Sequence, residues 1–301
     1  MARGGGRGGG GRNPSNQPRE VQASRALSKL LRHQAEQQGL KLGKGGYVNV
    51  QDALNTTALK SLKLTFPELR SLVATNNKQR FSLILATSLA AAPPSPTSPV
   101  DPALAASGPE ASQDPADYLI RANQGHSLAV DTDGLLTAIS AQAGNLPATV
   151  VHGTDDAALD LIMLGGGLRR MGRTHIHFAS GLPGKSHAAG AGDAQAAAPV
   201  ISGMRSSATV LVYIDLPAAL AAGIPFFVSD NGVILTKGDD NEVLSYTFFK
   251  KVERRRSGEV VMRDGVLPEG VVVDVEAWRE RVGDRASQAA GGRTGKGKEQ
   301  K

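Results

Sequence analysis

The apolar rhythm of the chain changes part-way along, and that change limits the folds open to it. In "LSKLLRHQAE" the residues Leu27, Leu30 and Leu31 recur at helical spacing. A later run, "FPELRSLVATN", carries Pro67 where a first helical turn accepts it. Beyond residue 147 the pattern breaks into short strands, "TVVHGT", "THIHFA", "TVLVYIDL", "PFFVSD" and "GVILTKG", each bounded by glycine, proline or asparagine. Helices gathered in one stretch and strands in the other predict an α+β protein of two domains.

The first domain reads as a helix from Ser24, placed to cap it, to Gly39, a C-cap. A glycine turn follows, then Tyr47, Val48 and Val50 lead into another helix, and the "FPELRSLVATN" helix comes third. "RFSLIL" and "YLIRANQ" are expected to pair as a hairpin. Helices followed by a hairpin make a winged helix. Between those strands, near 87–116, lies a Pro-, Ala- and Ser-rich insertion that cannot fill a core and is expected to be disordered. Its cost is small, since each doubling of such a loop adds only about 0.6 kcal/mol of closure entropy. The resulting map is a disordered Gly/Arg-rich tail over 1–22 and a winged-helix lobe over 23–146. A β-rich lobe over 147–252 follows, with one helix at "DDAALDLIMLGG" and a second insertion near 182–199. A charged extension over 253–301 is expected to end in a disordered basic tail.

With 301 residues and 40% hydrophobic content the chain can build two real cores. It has no cysteine, which excludes a disulfide framework and a thiolate metal site. No apolar run reaches the roughly 18 to 20 residues of a membrane span, so an intracellular protein of the cytoplasm or nucleus is expected. A net charge of +6 favours a polyanionic partner, although much of it sits in the tails. The opening "MARGGGRGGGGRNPSNQPRE" suits loose contact with RNA through charge and guanidinium stacking. Its glycines oppose the competing reading, an amphipathic transit peptide.

Arg32 and His33 stand side by side with Lys29 on the half of the first helix opposite its leucines. Alone, this is either a solvated basic face or a phosphate site. "IRANQGHS" places Arg121, Asn123, Gln124, His126 and Ser127 directly after a strand, a donor set that suits an anion or a base, or makes a polar turn. His152 ends an apolar run as either a structural histidine or a ligand contact, and Gly153 beside it would let a ligand approach the backbone. His175 and His177 fall on one face of a strand, but no nearby carboxylate or cysteine completes a metal site, so no metal is expected. Arg205 precedes a strong strand, where an arginine is more often a surface residue.

Taken in order, "LSKLLRH", "IRANQGHS", "HGT", "GRTHIHFA", "GMRS" and "SDNGVILTKG" resemble the tRNA 2′-phosphotransferase family, over roughly residues 24–87 and 117–252. The resemblance implies a winged-helix RNA-binding lobe and a second lobe related to the ADP-ribosyltransferases, which bind NAD in a split β-sheet. It implies tRNA with an internal 2′-phosphate as substrate and NAD⁺ consumed as co-substrate; a monomer is expected. The 2′-phosphate would attack the nicotinamide ribose and expel nicotinamide. A ribose hydroxyl would then attack phosphorus, releasing the RNA and ADP-ribose 1″,2″-cyclic phosphate.

By the same resemblance Arg32, Arg121 and Arg205 grip the phosphate and His33 is the catalytic histidine. Guanidinium forks hold phosphate oxygens bidentately and can do what magnesium does elsewhere, while an imidazole beside them moves a proton. His152, Gly153 and Thr154 match the first NAD motif, and His175 and His177 lie in the second, either of them able to face NAD. Where many transferases carry a glutamate, the matching place near Val233 is apolar. Ser229, Asp230 and Asn231 either line that cleft or form a turn. Two other readings stand: an ADP-ribosyltransferase that stops after the first step, and a non-catalytic RNA-binding protein.

Overall fold

A computed structural model describes residues 17–90, 112–182, 203–205 and 207–291. Residues 1–16 of the Gly/Arg-rich start, most of the first insertion and the basic end, expected to be disordered, lie outside the described residues, as does most of the second insertion. Residues 19–22, expected in the disordered start, instead open the first helix. The chain divides into two compact units, 1–134 and 135–301. Both combine helices with antiparallel sheets, so the protein is α+β.

The first unit opens with α1 (Arg19–Lys29), which begins five residues before the expected cap. Ser24 lies buried inside it and receives a hydrogen bond from Asn76 Nδ2 at 3.4 Å. The early start has a tertiary cause. Arg19 forks onto the Glu68 carboxylate at 2.8 and 3.1 Å and also donates to the Leu62 and Lys63 carbonyls. After Lys29 the helix widens into one π turn, Leu30–Gln34, and closes as a 3₁₀ turn before Gly39, whose φ of 75° makes it the left-handed C-cap expected.

Three helices follow: α2 (Val50–Asn55), α3 (Thr57–Ser61) and α4 (Phe66–Thr75). The last has Pro67 in its first turn and a capping box between Thr65 and Glu68. Strands β2 (Phe81–Leu85) and β3 (Tyr118–Ala122) pair antiparallel as anticipated, with Leu83 opposite Ile120. β1 (Val48–Asn49) adds a third strand on the other side of β3. The flanks of the insertion are ordered, as a short helix α5 (Ala86–Ala90) and a 3₁₀ turn (Pro115–Asp117). Leu27, Leu30, Leu31, Leu69, Tyr118 and Ile120 form the centre of the core, where a fully buried Leu or Ile side chain contributes about 1.5 to 3 kcal/mol.

The second unit has two four-stranded antiparallel sheets. One runs β4 (Leu136–Ala138), β9 (Phe226–Ser229), β10 (Ile234–Thr236), β7 (Ile176–Phe178). The other runs β13 (Val260–Arg263), β12 (Phe249–Arg254), β8 (Val210–Ile214), β5 (Val151–Thr154). They meet where Val151 and Ala179 exchange backbone hydrogen bonds of 3.0 and 2.8 Å. A two-stranded ribbon joins β6 (Gly167–Arg169) to β11 (Val243–Ser245). Helix α6 (Asp156–Leu164) is capped by the Asp155 carboxylate, and α7 (Leu216–Ala221) by Asp215. Phe178, Phe226, Val210, Val212 and Phe249 fill the core. At the chain's end α8 (Val275–Gly291) lays Trp278 on the Arg169 guanidinium, 4.4 Å from the ring centroid.

Candidate functional site

In the first unit the structure brings Arg32, His33 and Arg121 to one cluster of glycine turns. The π turn sends two consecutive leucines inward and leaves Arg32 half-buried and His33 exposed. Two backbone positions of the loop after β3 meet that turn. The Ser127 N–H donates to the Arg32 carbonyl at 3.0 Å, and Gly125, with φ of 89°, leaves room for the Arg32 guanidinium 3.5 Å from where a Cβ would stand. Ser127 Oγ lies 2.9 Å from His33 Nδ1.

Arg121 is 4% exposed. Its Nη1 donates to the carbonyls of Gly45 at 3.3 Å and Gly134 at 2.7 Å, and its guanidinium sits 4.6 Å from the centroid of the Tyr47 ring. Gly45 and Gly46 both have positive φ, and side chains there would strike Arg121 Nη1 and Val130. The buried His126 imidazole faces Gly46 as well, 3.9 Å from its Cβ position. Asn123 is buried behind them, bonded to Ser82 and to the Gln79 carbonyl. A buried guanidinium held by two carbonyls and a second one backed by glycine are donors of the kind that suits a phosphate.

In the second unit His152 stands at the seam of the two sheets. Its Nδ1 is 2.9 Å from the His177 carbonyl, which can only accept, so Nδ1 carries the proton and donates. Burial pushes the His152 pKa down. The bond to the His177 carbonyl opposes this, and the charges of Arg205 and Arg173 add to it. The ring is therefore neutral at pH 7, with an acceptor at Nε2. His175 is pushed down to about 4, by burial first and then by Lys237 and Arg170, and its Nδ1 lies 2.9 Å from Thr174 Oγ1.

His177 is buried and lends its carbonyl to His152, whereas the His175 ring meets Phe227 edge-on at 6.4 Å. Thr154 is half-buried on β5, and Arg205 is exposed, its carbonyl receiving the Ala208 N–H at 3.1 Å. An imidazole acceptor within electrostatic reach of two guanidinium groups suits a ligand that carries both hydroxyls and negative charge.

The space that the missing side chain of Gly153 leaves is filled by Met204 and Ala208, which pack there with Val151, Ala179 and Leu211. Ser229, Asp230 and Asn231 form the β9–β10 turn. Ser229 Oγ donates towards Asn231 Oδ1 at 2.8 Å and receives the Val233 N–H at 3.2 Å. Asp230 is exposed, and the Val233 side chain is fully buried.

Sequence reasoning gave Gly45, Gly46 and Tyr47 only a place in the chain's turn and entry to the next helix, and gave Arg173 no role. The doubled glycine in "GKGGY" was the one local signal, since consecutive positive φ angles allow close approach of another group. Nothing local marks Tyr47 as the seat for Arg121, 74 residues away in sequence.

A family model described as RNA 2′-phosphotransferase, Tpt1 / KptA family, matches residues 18–238. Among curated proteins, tRNA 2′-phosphotransferase 1 of Bos taurus is 41% identical over 245 residues, 81% of this chain and 80% of its own. The protein of the same name from Danio rerio is 37% identical over 252 residues, 84% and 93% of the two chains. The tRNA 2′-phosphotransferase of Saccharomyces cerevisiae is 31% identical over 235 residues, 77% and 85%.

Proposed function

The chain belongs to the RNA 2′-phosphotransferase, Tpt1 / KptA family, and from that premise we propose that it removes the splice-junction 2′-phosphate from tRNA, with NAD⁺ as the consumed acceptor. The observation that carries the reading is that Arg32 packs on Gly125, His33 meets the nearby Ser127, and Arg121 bonds to Gly45, which His126 of the same loop adjoins at Gly46. When bound, NAD⁺ supplies the ribose that takes the phosphate, so that nicotinamide and ADP-ribose 1″,2″-cyclic phosphate leave. Among this chain's residues, Arg32 and Arg121 hold phosphate oxygens through their planar N–H donors, and Arg205 serves the same group during transfer. His33 handles the proton of the attacking hydroxyl.

The residues of the second unit fit NAD⁺. His152 Nε2 can accept a ribose hydroxyl proton, and the Thr154 hydroxyl and the charges of Arg173 and Arg205 suit ribose and pyrophosphate. We read the first unit as a winged-helix RNA-binding lobe, supported by helices that lead into the antiparallel β2–β3 pair. We read the second as ADP-ribosyltransferase-like, supported by two four-stranded sheets that join at β5 and β7. Action inside the cell, in cytoplasm or nucleus, follows from the substrate.

The test incubates the full chain in EDTA with an RNA carrying one internal 2′-phosphate, with and without NAD⁺. Phosphate loss only with NAD⁺, matched by the cyclic product, is expected. Arg32→Ala and Arg121→Ala each slow it about a hundredfold or more, the usual cost of removing one preorganised donor to developing charge. Accumulation of ADP-ribosylated RNA in the unsubstituted protein would favour the one-step transferase. RNA that is bound and unchanged would leave the non-catalytic RNA-binding reading.

A further inference from the structure

His33 and Ser127 are 94 residues apart in sequence, yet Ser127 makes contact twice with the turn that carries the catalytic pair. Its hydroxyl lies 2.9 Å from His33 Nδ1, and its N–H donates to the carbonyl of Arg32 at 3.0 Å. One residue therefore holds the backbone of the π turn and the imidazole mounted on it. The next residues towards the N-terminus continue the arrangement, with His126 against Gly46 and Gly125 against the Arg32 guanidinium.

A neutral imidazole in water favours the Nε2–H form, which would leave its basic lone pair on Nδ1, close to its own backbone. A hydroxyl facing Nδ1 can donate to its lone pair or accept its N–H, and where it accepts, it reverses that preference. Resting on the phosphate-transfer reading above, we propose that Ser127 is a positioning residue. It keeps the proton of His33 on Nδ1, so that Nε2 is the nitrogen that moves the proton in the second step of transfer. In that step the ribose hydroxyl oxygen forms a bond to phosphorus as the bond from phosphorus to the RNA 2′-oxygen breaks. The hydroxyl proton passes to His33 Nε2 and then to the departing RNA 2′-oxygen, and His33 ends as it began. Ser127 touches no reacting atom and acts through the imidazole alone.

The two contacts can be separated. Ser127→Ala removes the hydroxyl but keeps the N–H bond to Arg32, so the turn retains its backbone anchor. Ser127→Thr restores a hydroxyl at an exposed position with room for the extra methyl. The experiment follows single turnovers of the full-length variants on 2′-phosphorylated RNA with NAD⁺. Alongside it, nitrogen NMR of histidine-labelled protein without RNA or NAD⁺ reads the His33 tautomer, with His33→Gln to assign the signal.

Ser127→Ala is expected to slow decay of the ADP-ribosylated RNA about tenfold or more, part of what general acid–base catalysis supplies, with the KM for RNA unchanged. Ser127→Thr returns most of the rate. The NMR signal of the unsubstituted protein reports Nδ1–H, and that of Ser127→Ala shifts towards Nε2–H. Equal rates for Ser127→Ala and the unsubstituted chain, failure of Thr to recover what Ala loses, or a tautomer indifferent to Ser127 would overturn the proposal. If the unsubstituted chain transfers no phosphate, the functional reading fails first, and the NMR arm still decides whether Ser127 sets the imidazole.

Discussion

At the scale of single residues, burial decides more than residue type. His152 and His175 have imidazoles whose protonation is disfavoured by burial and by neighbouring arginine or lysine charge. For His175 the folded-state value near 4 lies below the ordinary 6.5, so between these values the unfolded chain binds a proton that the folded chain does not. Its effect on stability is absent above pH 6.5, and stability falls as the pH drops from 6.5 towards 4. Urea midpoints measured across that window are expected to fall more steeply for the unsubstituted chain than for His175→Gln. Parallel curves would mean that His175 titrates normally in the folded state. The same scale holds the least legible part of the arginine cluster proposed to bind phosphate. Arg121 was readable as a donor, but its seat on the Tyr47 ring and its bonds to the Gly45 and Gly134 carbonyls join residues far apart in sequence.

At the scale of elements, most strands and helices follow from local pattern, and the exceptions have tertiary causes. Thr65, Pro67 and Glu68 announce α4 because the capping box satisfies its own first-turn donors. α1 begins early because Arg19 finds Glu68, a partner 49 residues ahead. β6 and β11 escape a sequence reading, and their pairing is set by the fold around them. Gly153 on β5 illustrates the point energetically. A Cβ there would overlap Met204, so Gly153→Ala is expected to cost about 1 to 3 kcal/mol by overpacking. Adding Met204→Ala should recover part of that cost in a double-mutant cycle on urea denaturation. Strictly additive costs would show that Met204 is not the obstacle.

At the scale of the whole molecule, the match to the family model ends at residue 238, but the core of the second unit does not. Leu244, Phe249, Val252 and Met262 are all buried within it, and β12 is the partner that covers one side of β8. A chain cut after Gly238 would expose that edge and lose those side chains. It is expected to lose the near-ultraviolet dichroism of a packed core and to bind a hydrophobic dye. A soluble truncation that melts cooperatively would contradict this. By itself the sequence determined the α+β class, the β2–β3 pair, Pro67 in the first turn of α4, the C-cap at Gly39, and a cast of arginines, histidines and glycines suited to an anion, because propensity and periodicity act over a few neighbours. Only the tertiary structure decided that His33 meets Ser127, that Arg121 rests on Tyr47 and that Gly153 makes room for Met204. Those meetings join residues tens of positions apart, and packing alone chooses among them.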